Sequence, residues 1–183
     1  MTARPNVNLE GLEKNIADQV LTELQRHFEK FPEIEKRLCE IYVINSKDNF
    51  YAQVSPAGDR MEINIKFNGV NEDDGQFKVT IPGLSAKVAH ECGHLIEKCL
   101  VNSPFNFAPK CEEWLNARRQ LWRQFRLELK ETGKNNVSFY AMQEEEFIPE
   151  VYAQLTVYGV NHNQYTQQLQ KMLDSAVFGQ KMR

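Results

Sequence analysis

The hydrophobic period of the chain changes twice, and this limits its fold more than any other feature. From Leu9 to about Phe31 apolar residues recur at helical spacing, at Leu9, Leu12, Ile16, Val20, Leu24 and Phe28, with Glu, Lys, Asp and Gln between them. Pro32 ends this amphipathic helix, because the residue before a proline is pushed out of the α region, and a short helical turn with Ile34 and Leu38 follows. The period then shortens. Glu40–Ile44, Phe50–Val54 and Met61–Phe67 are short and rich in β-branched and aromatic residues, so they read as strands. Pro56-Ala-Gly-Asp-Arg60 has turn chemistry and joins the last two in a hairpin. Met61, Ile63, Ile65 and Phe67 alternate with Glu62, Asn64 and Lys66, which predicts one buried and one wet face and a small, mostly antiparallel sheet. Beyond the polar loop Asn68–Asp74, Phe77–Ile81 offers one more strand.

After Pro82-Gly83 the helical period returns. Leu84, Val88, His90, His94, Leu95 and Leu100 predict a helix from near Ser85, capped by the Ser85 hydroxyl and closed by Asn102-Ser-Pro104. A long helix is predicted from about Pro109 to Glu131, with Pro109 at its first position and Gly133 just past its end. Its stripe is Cys111, Trp114, Leu115, Leu121, Trp122, Phe125 and Leu129. A third helix contains Glu146 to Val157 and stops near Gly159, and Gln164 to Phe178 closes the chain. The expected class is α+β in a single domain over 1–183, with helix and sheet over about 8–81 and a mainly helical half over about 83–183. A length of 183 residues with 42% hydrophobic content is enough for one core.

Charge and apolar run length exclude other classes. Lys and Arg total 22 against 25 Asp and Glu, a net charge of -3 without the broad basic field that binds nucleic acid. No run approaches the roughly 18 apolar residues of a membrane span, and Met1-Thr-Ala-Arg-Pro-Asn lacks the apolar core of a signal peptide. The expectation is a protein made in the cytoplasm, with no nucleic-acid or membrane partner. Four cysteines without a C-x-x-C pair argue against a zinc ribbon or disulfide scaffold and read as buried free thiols.

Of four histidines, two stand in His90-Glu91-Cys92-Gly93-His94, an H-E-x-x-H pattern on a segment already read as helical. Positions i and i+4 lie one turn apart on one face, so both imidazoles can converge on one ion. Glu91 is rotated about 100° from His90 and can reach a water at the metal without ligating it. Two neutral imidazoles suit Zn²⁺, which in catalytic sites takes three protein ligands and a water whose pKa it lowers towards neutrality. A pair of core histidines, or an exposed pair one turn apart, would give the same pattern. Gly93 speaks against that, because glycine in a helix interior costs about 1 kcal/mol relative to alanine and marks a close approach. The third ligand has its strongest candidate in Glu144-Glu-Glu-Phe-Ile-Pro-Glu150. Glu146 and Glu150 are also one turn apart, so one can bind the metal while the other accepts the second N–H of a ligating imidazole. Acids at a helix start also favour the positive end of the dipole, with no metal involved.

His90-Glu-Cys-Gly-His94, with Tyr140-Ala-Met-Gln-Glu-Glu-Glu-Phe-Ile-Pro-Glu-Val-Tyr-Ala153 some fifty residues later, resembles the catalytic domain of anthrax lethal factor-type zinc metallopeptidases. Related domains occur in phage head-associated proteins. The family pattern is H-E-x-G-H, then a Tyr ahead of an acidic helix reading E-F-F-A-E-A-F, and the likeness covers about residues 40 to 160. The resemblance implies a zincin-like fold with the sheet packed on the active-site helix and one catalytic Zn²⁺. It implies His90, His94 and Glu146 as ligands, Glu91 as general base, Glu150 as support to a ligating imidazole and Tyr140 as a donor to the oxyanion. Three departures stand out. The Tyr140 to Glu146 interval is one residue shorter than usual, which leaves Glu145 open as the ligand. Pro149 replaces a small residue, and Gln143 stands where a capping Asn is expected.

The expected function is zinc-dependent hydrolysis of a peptide or protein substrate lying along an edge strand, either Met61–Phe67 or Phe77–Ile81. The alternatives are a non-catalytic zincin scaffold used for assembly or partner binding, and a zinc hydrolase acting on another bond. Export without a standard signal and phage association stay open. Arg118, Arg119, Arg123, Arg126 and Lys130 read as a solvated basic face. Cys92 reads as a buried thiol, His27 as a surface or boundary residue, and His162 as a donor with no spacing that binds it to the site.

Overall fold

A computed structural model describes residues 4–48, 50–69, 83–101 and 108–176. The sheet is made of β1 (Asn6–Asn8), β2 (Glu40–Ile44), β3 (Ala52–Val54) and β4 (Arg60–Asn64), in the order β1-β2-β4-β3. Helices α1 (Lys14–Lys30) and α2 (Pro32–Arg37) connect β1 to β2, and Pro32 opens α2 where α1 ends. The rest is helical: α3 (Leu84–Val101), α4 (Ala108–Thr132), α5 (Glu144–Tyr158) and α6 (Gln164–Ser175). The α+β class and the helical second half stand as expected.

The sheet is mixed rather than mostly antiparallel. β3 and β4 form the expected antiparallel hairpin, but β1 pairs with β2, and β2 with β4, in parallel. Alternation of buried and wet residues reports that a strand has two different faces, not which way its neighbour runs. Here β4 fills the place between β2 and β3, so the two strands adjacent in sequence are not adjacent in space. β4 also stops at Asn64, and Ile65–Gly69 turn into a 3-10 helix. Asn64, expected on the wet face, is fully buried and donates from Nδ2 to the Ser46 carbonyl at 3.1 Å.

β1 has no sequence signal, since Asn6-Val7-Asn8 is exposed throughout and becomes a strand only by pairing with β2. It takes the start of the region read as helix, so Leu9 and Leu12 precede α1 and pack on the core from a turn. Ser85 lies inside α3, because the helix already begins at Leu84. Phe77–Ile81, Asn102–Pro104 and Phe178 lie outside the described residues.

One contiguous core joins Val20 and Leu24 of α1, Ile41 and Ile63 of the sheet, Ala89 and Leu95 of α3, Phe147 and Val151 of α5, and Leu169 of α6. The central helix α3 packs chiefly on α5 and also on α1, α2, α4 and β3. At the α3–α5 crossing a Cβ added to Gly93 would lie 2.7 Å from the Pro149 Cα. The glycine thus admits the α5 backbone to near contact, as its place between the histidines suggested. Cys92 and Cys99 are buried free thiols, while Cys111 is half-buried and Cys39 exposed, contrary to the expectation that all four are buried. Among the described residues no helix is long and apolar enough to cross a membrane.

Candidate metal centre

The close α3–α5 crossing brings three donors together. His90 Nε2 lies 3.1 Å and His94 Nε2 3.3 Å from the same oxygen, Oε2 of Glu146. All three side chains are half-buried, and one donor atom from each lies within 4.8 Å of the others, so the group could hold a metal ion. The rings of His90 and His94 stand 4.9 Å apart at 78°, as a spacing of four on one helix allows. Glu145 is exposed, so Glu146 is the acid of the pair that reaches the histidines.

Glu150, one turn after Glu146, is almost fully buried and sets the orientation of His90. Its Oε1 lies 2.7 Å from His90 Nδ1, and a carboxylate can only accept there, so Nδ1 carries a proton and the ring is held with Nε2 facing Glu146. Burial alone would lower the His90 pKa, but the bonds to Glu146 and Glu150 outweigh it and raise it to about 10. Glu146 is half-buried, which opposes its ionisation, but its bonds to His90 and His94 hold it far below the usual carboxylate range.

Glu91 is buried beside the same group. Burial raises its pKa, while the neighbouring histidines pull the other way and the Val54 backbone N–H donates to its carboxylate. The bond reaches across from β3, an outer strand of the sheet among the described residues. Tyr51 O accepts from Asn64 N and Ser55 N donates to Arg60 O, so alternation turns the Ala52 and Val54 backbone groups away from β4. They face a cleft of about 380 Å³ that holds His90, Glu91, His94, Glu146, Glu150 and Tyr140. Tyr140 sits on a 3-10 turn just before α5 and is 37% exposed. All six residues singled out in the sequence therefore line one cavity.

Of the two strands expected as the open edge, Met61–Phe67 is not one, because β4 is paired on both sides; Phe77–Ile81 is outside the described residues. Among the described residues the outer strands are β1 and β3, and β3 is the one at the cleft. Cys92 is fully buried and does not line the cleft. His162 is also away from it, with its ring 4.5 Å from that of Tyr158. His27, expected at the surface or boundary, is 3% exposed, because α5 lays Tyr152 over it and His27 Nδ1 and the Tyr152 hydroxyl lie 2.8 Å apart. Its signal was the α1 stripe itself, since Val20, Leu24, His27 and Phe28 share one face. The basic face of α4 is only partly solvated: Arg118 pairs with Glu97 and Glu144, and Arg126 donates to the Met142 carbonyl. Arg118 stands four residues from both Trp114 and Trp122, inside the apolar stripe, which marks it in the sequence.

No family model, curated protein or solved structure matches this chain.

Proposed function

We propose that the protein is a zinc-dependent metallopeptidase with a zincin-type site, in which His90, His94 and Glu146 hold one Zn²⁺. The observation that carries this reading is the meeting of two imidazoles and a carboxylate beside a buried, non-ligating glutamate on the wall of a cleft. Two histidines with one acid form a donor set used by catalytic zinc, and the bond from His90 Nδ1 to Glu150 fixes the ring so that Nε2 is the nitrogen turned towards His94 and Glu146.

When bound, zinc supplies a Lewis acid and lowers the pKa of water towards neutrality. Glu91 takes a proton from the attacking water and passes it to the leaving amine nitrogen, a role suited to a carboxylate whose pKa burial has raised. The Tyr140 hydroxyl donates to the carbonyl oxygen as negative charge develops there. Along β3 the outward Ala52 backbone and the Val54 carbonyl offer an extended peptide the bonds of an added strand. The substrate is accordingly a peptide or protein segment in extended form.

Metal analysis and a peptide-library digest with and without chelator test this reading. Glu91→Gln should keep stoichiometric zinc and lose at least about a hundredfold in turnover, the scale of a general base. His94→Ala should lose both metal and activity. A His94→Ala protein that retains zinc would overturn the ligand set; a zinc-loaded wild type without chelator-sensitive cleavage would favour a binding scaffold or a different scissile bond.

A further inference from the structure

Helix α4 presents three side chains to the segment that leads into α5. Arg118, Trp122 and Arg126 are spaced by four and share one face. Trp122 Nε1 donates to the Ala141 carbonyl at 3.1 Å, Arg126 Nη1 to the Met142 carbonyl at 3.3 Å and Arg118 Nη2 to Glu144 Oε1 at 2.8 Å. The segment they hold carries Tyr140 at one end and runs into Glu146 at the other.

Arg118 also reaches the other ligand-bearing helix. Its Nη1 lies 3.5 Å from Oε1 of Glu97, a buried carboxylate on α3 that accepts from Trp114 Nε1 at 3.4 Å. Glu97 comes three residues after His94, and Glu144 two residues before Glu146. One guanidinium therefore ties the helix with the histidines to the helix with the acid. Its side chain is only 19% exposed, so water screens these contacts weakly. A planar fork fixes the distance and angle between two carboxylates, which a flexible ammonium does not.

We propose that Arg118 is a positioning residue for the metal centre, clamping α5 to α3 so that Glu146 meets His90 and His94 at coordinating distance. The inference rests on reading that cluster as a zinc site, and its test measures metal rather than turnover. Zinc affinity is read by competition with a chromophoric chelator for wild type, Arg118→Met, Arg118→Lys and Glu144→Gln, with apo thermal midpoints beside it. Arg118→Met and Glu144→Gln should each weaken zinc by about 10- to 100-fold, the usual effect of losing an outer support. Arg118→Lys should fall between them and wild type, and adding Glu144→Gln to Arg118→Met should cost little more. The Co²⁺-loaded Arg118→Met protein should show a visible spectrum altered from that of wild type, because the carboxylate is displaced.

Asn163→Ala, a variant at the cap of α6 and outside the lining of the cleft, controls for general loosening. If it lowers the apo midpoint as far as Arg118→Met and weakens zinc as much, the clamp is refuted. A wild type that binds zinc with an affinity that Arg118→Met and Glu144→Gln both leave unchanged refutes the clamp alone. A wild type that binds no zinc overturns the site and the clamp together. Should Arg118→Met fail to fold, Arg118→Lys and Glu144→Gln decide the matter.

Discussion

A Cβ at position 93 would stand 2.7 Å from the Pro149 Cα and 3.3 Å from its Cβ, and a backbone atom has little freedom to retreat. Gly93→Ala gains helix propensity worth about 1 kcal/mol, but overpacking costs about 1 to 3 kcal/mol, so a net loss is expected. Urea unfolding of chelator-treated protein checks it; an unchanged or higher midpoint would show that α3 and α5 separate without strain. His27 yields a prediction of a different kind. Burial, followed by the charges of Lys30 and Arg26, lowers its pKa from 6.5 to about 4. Between those values the unfolded chain binds the proton and the folded chain does not, so stability falls as pH drops from 6.5 to 4. The loss is about 3 kcal/mol. His27→Gln should flatten that part of the stability profile, and identical wild-type and variant slopes between pH 7 and 4 would refute the assignment. Glu91 and His27 show what single residues disclose: the spacing of Glu91 from His90 already placed it beside the histidines, whereas the burial of His27 depends on Tyr152, 125 residues away.

At the scale of elements, α6 depends on a cap that also serves α5. Asn163 accepts from the backbone N–H groups of Tyr165 and Thr166 and forms a capping box with Thr166. Its Nδ2 donates to Gln154 Oε1 at 2.8 Å, and Gln154 is buried. Asn163→Ala should therefore cost about 2 kcal/mol, the upper end for a cap, because a buried amide oxygen also loses its donor. Thermal and urea unfolding measure it, and a loss under about 0.5 kcal/mol would mean that water replaces the side chain. The elements best read from sequence are the amphipathic helices and the β3–β4 hairpin, where local period and turn chemistry suffice. β1 was not legible, since an exposed Asn-Val-Asn carries no period and exists as a strand only through its partner. The parallel β2–β4 pairing is equally silent, because the slot between β2 and β3 is filled by a strand that comes later in the chain.

On the scale of the whole molecule, the centre links the two halves of the fold, since the three residues that could hold a metal lie on α3 and α5 and the cleft is walled by β3. Zinc that binds the folded chain and not the unfolded one should raise stability by about 2.7 kcal/mol at a hundred times its dissociation constant. Excess chelator should return the thermal midpoint to the apo value, and a midpoint indifferent to zinc and chelator would deny the ion a place in the native state. The sequence by itself marked the residues that meet at this centre: a helix of period 3.6 must put His90 and His94 on one face, and a glycine between them implies a close neighbour. It also determined the helical half, the hairpin and the absence of a broad basic field. Only the tertiary structure decided which glutamate of the acidic run reaches the histidines, which strand borders the cleft, and that Arg118 faces inward. These depend on contacts between residues far apart in the chain, and local periodicity holds no record of which distant surface will cover which face.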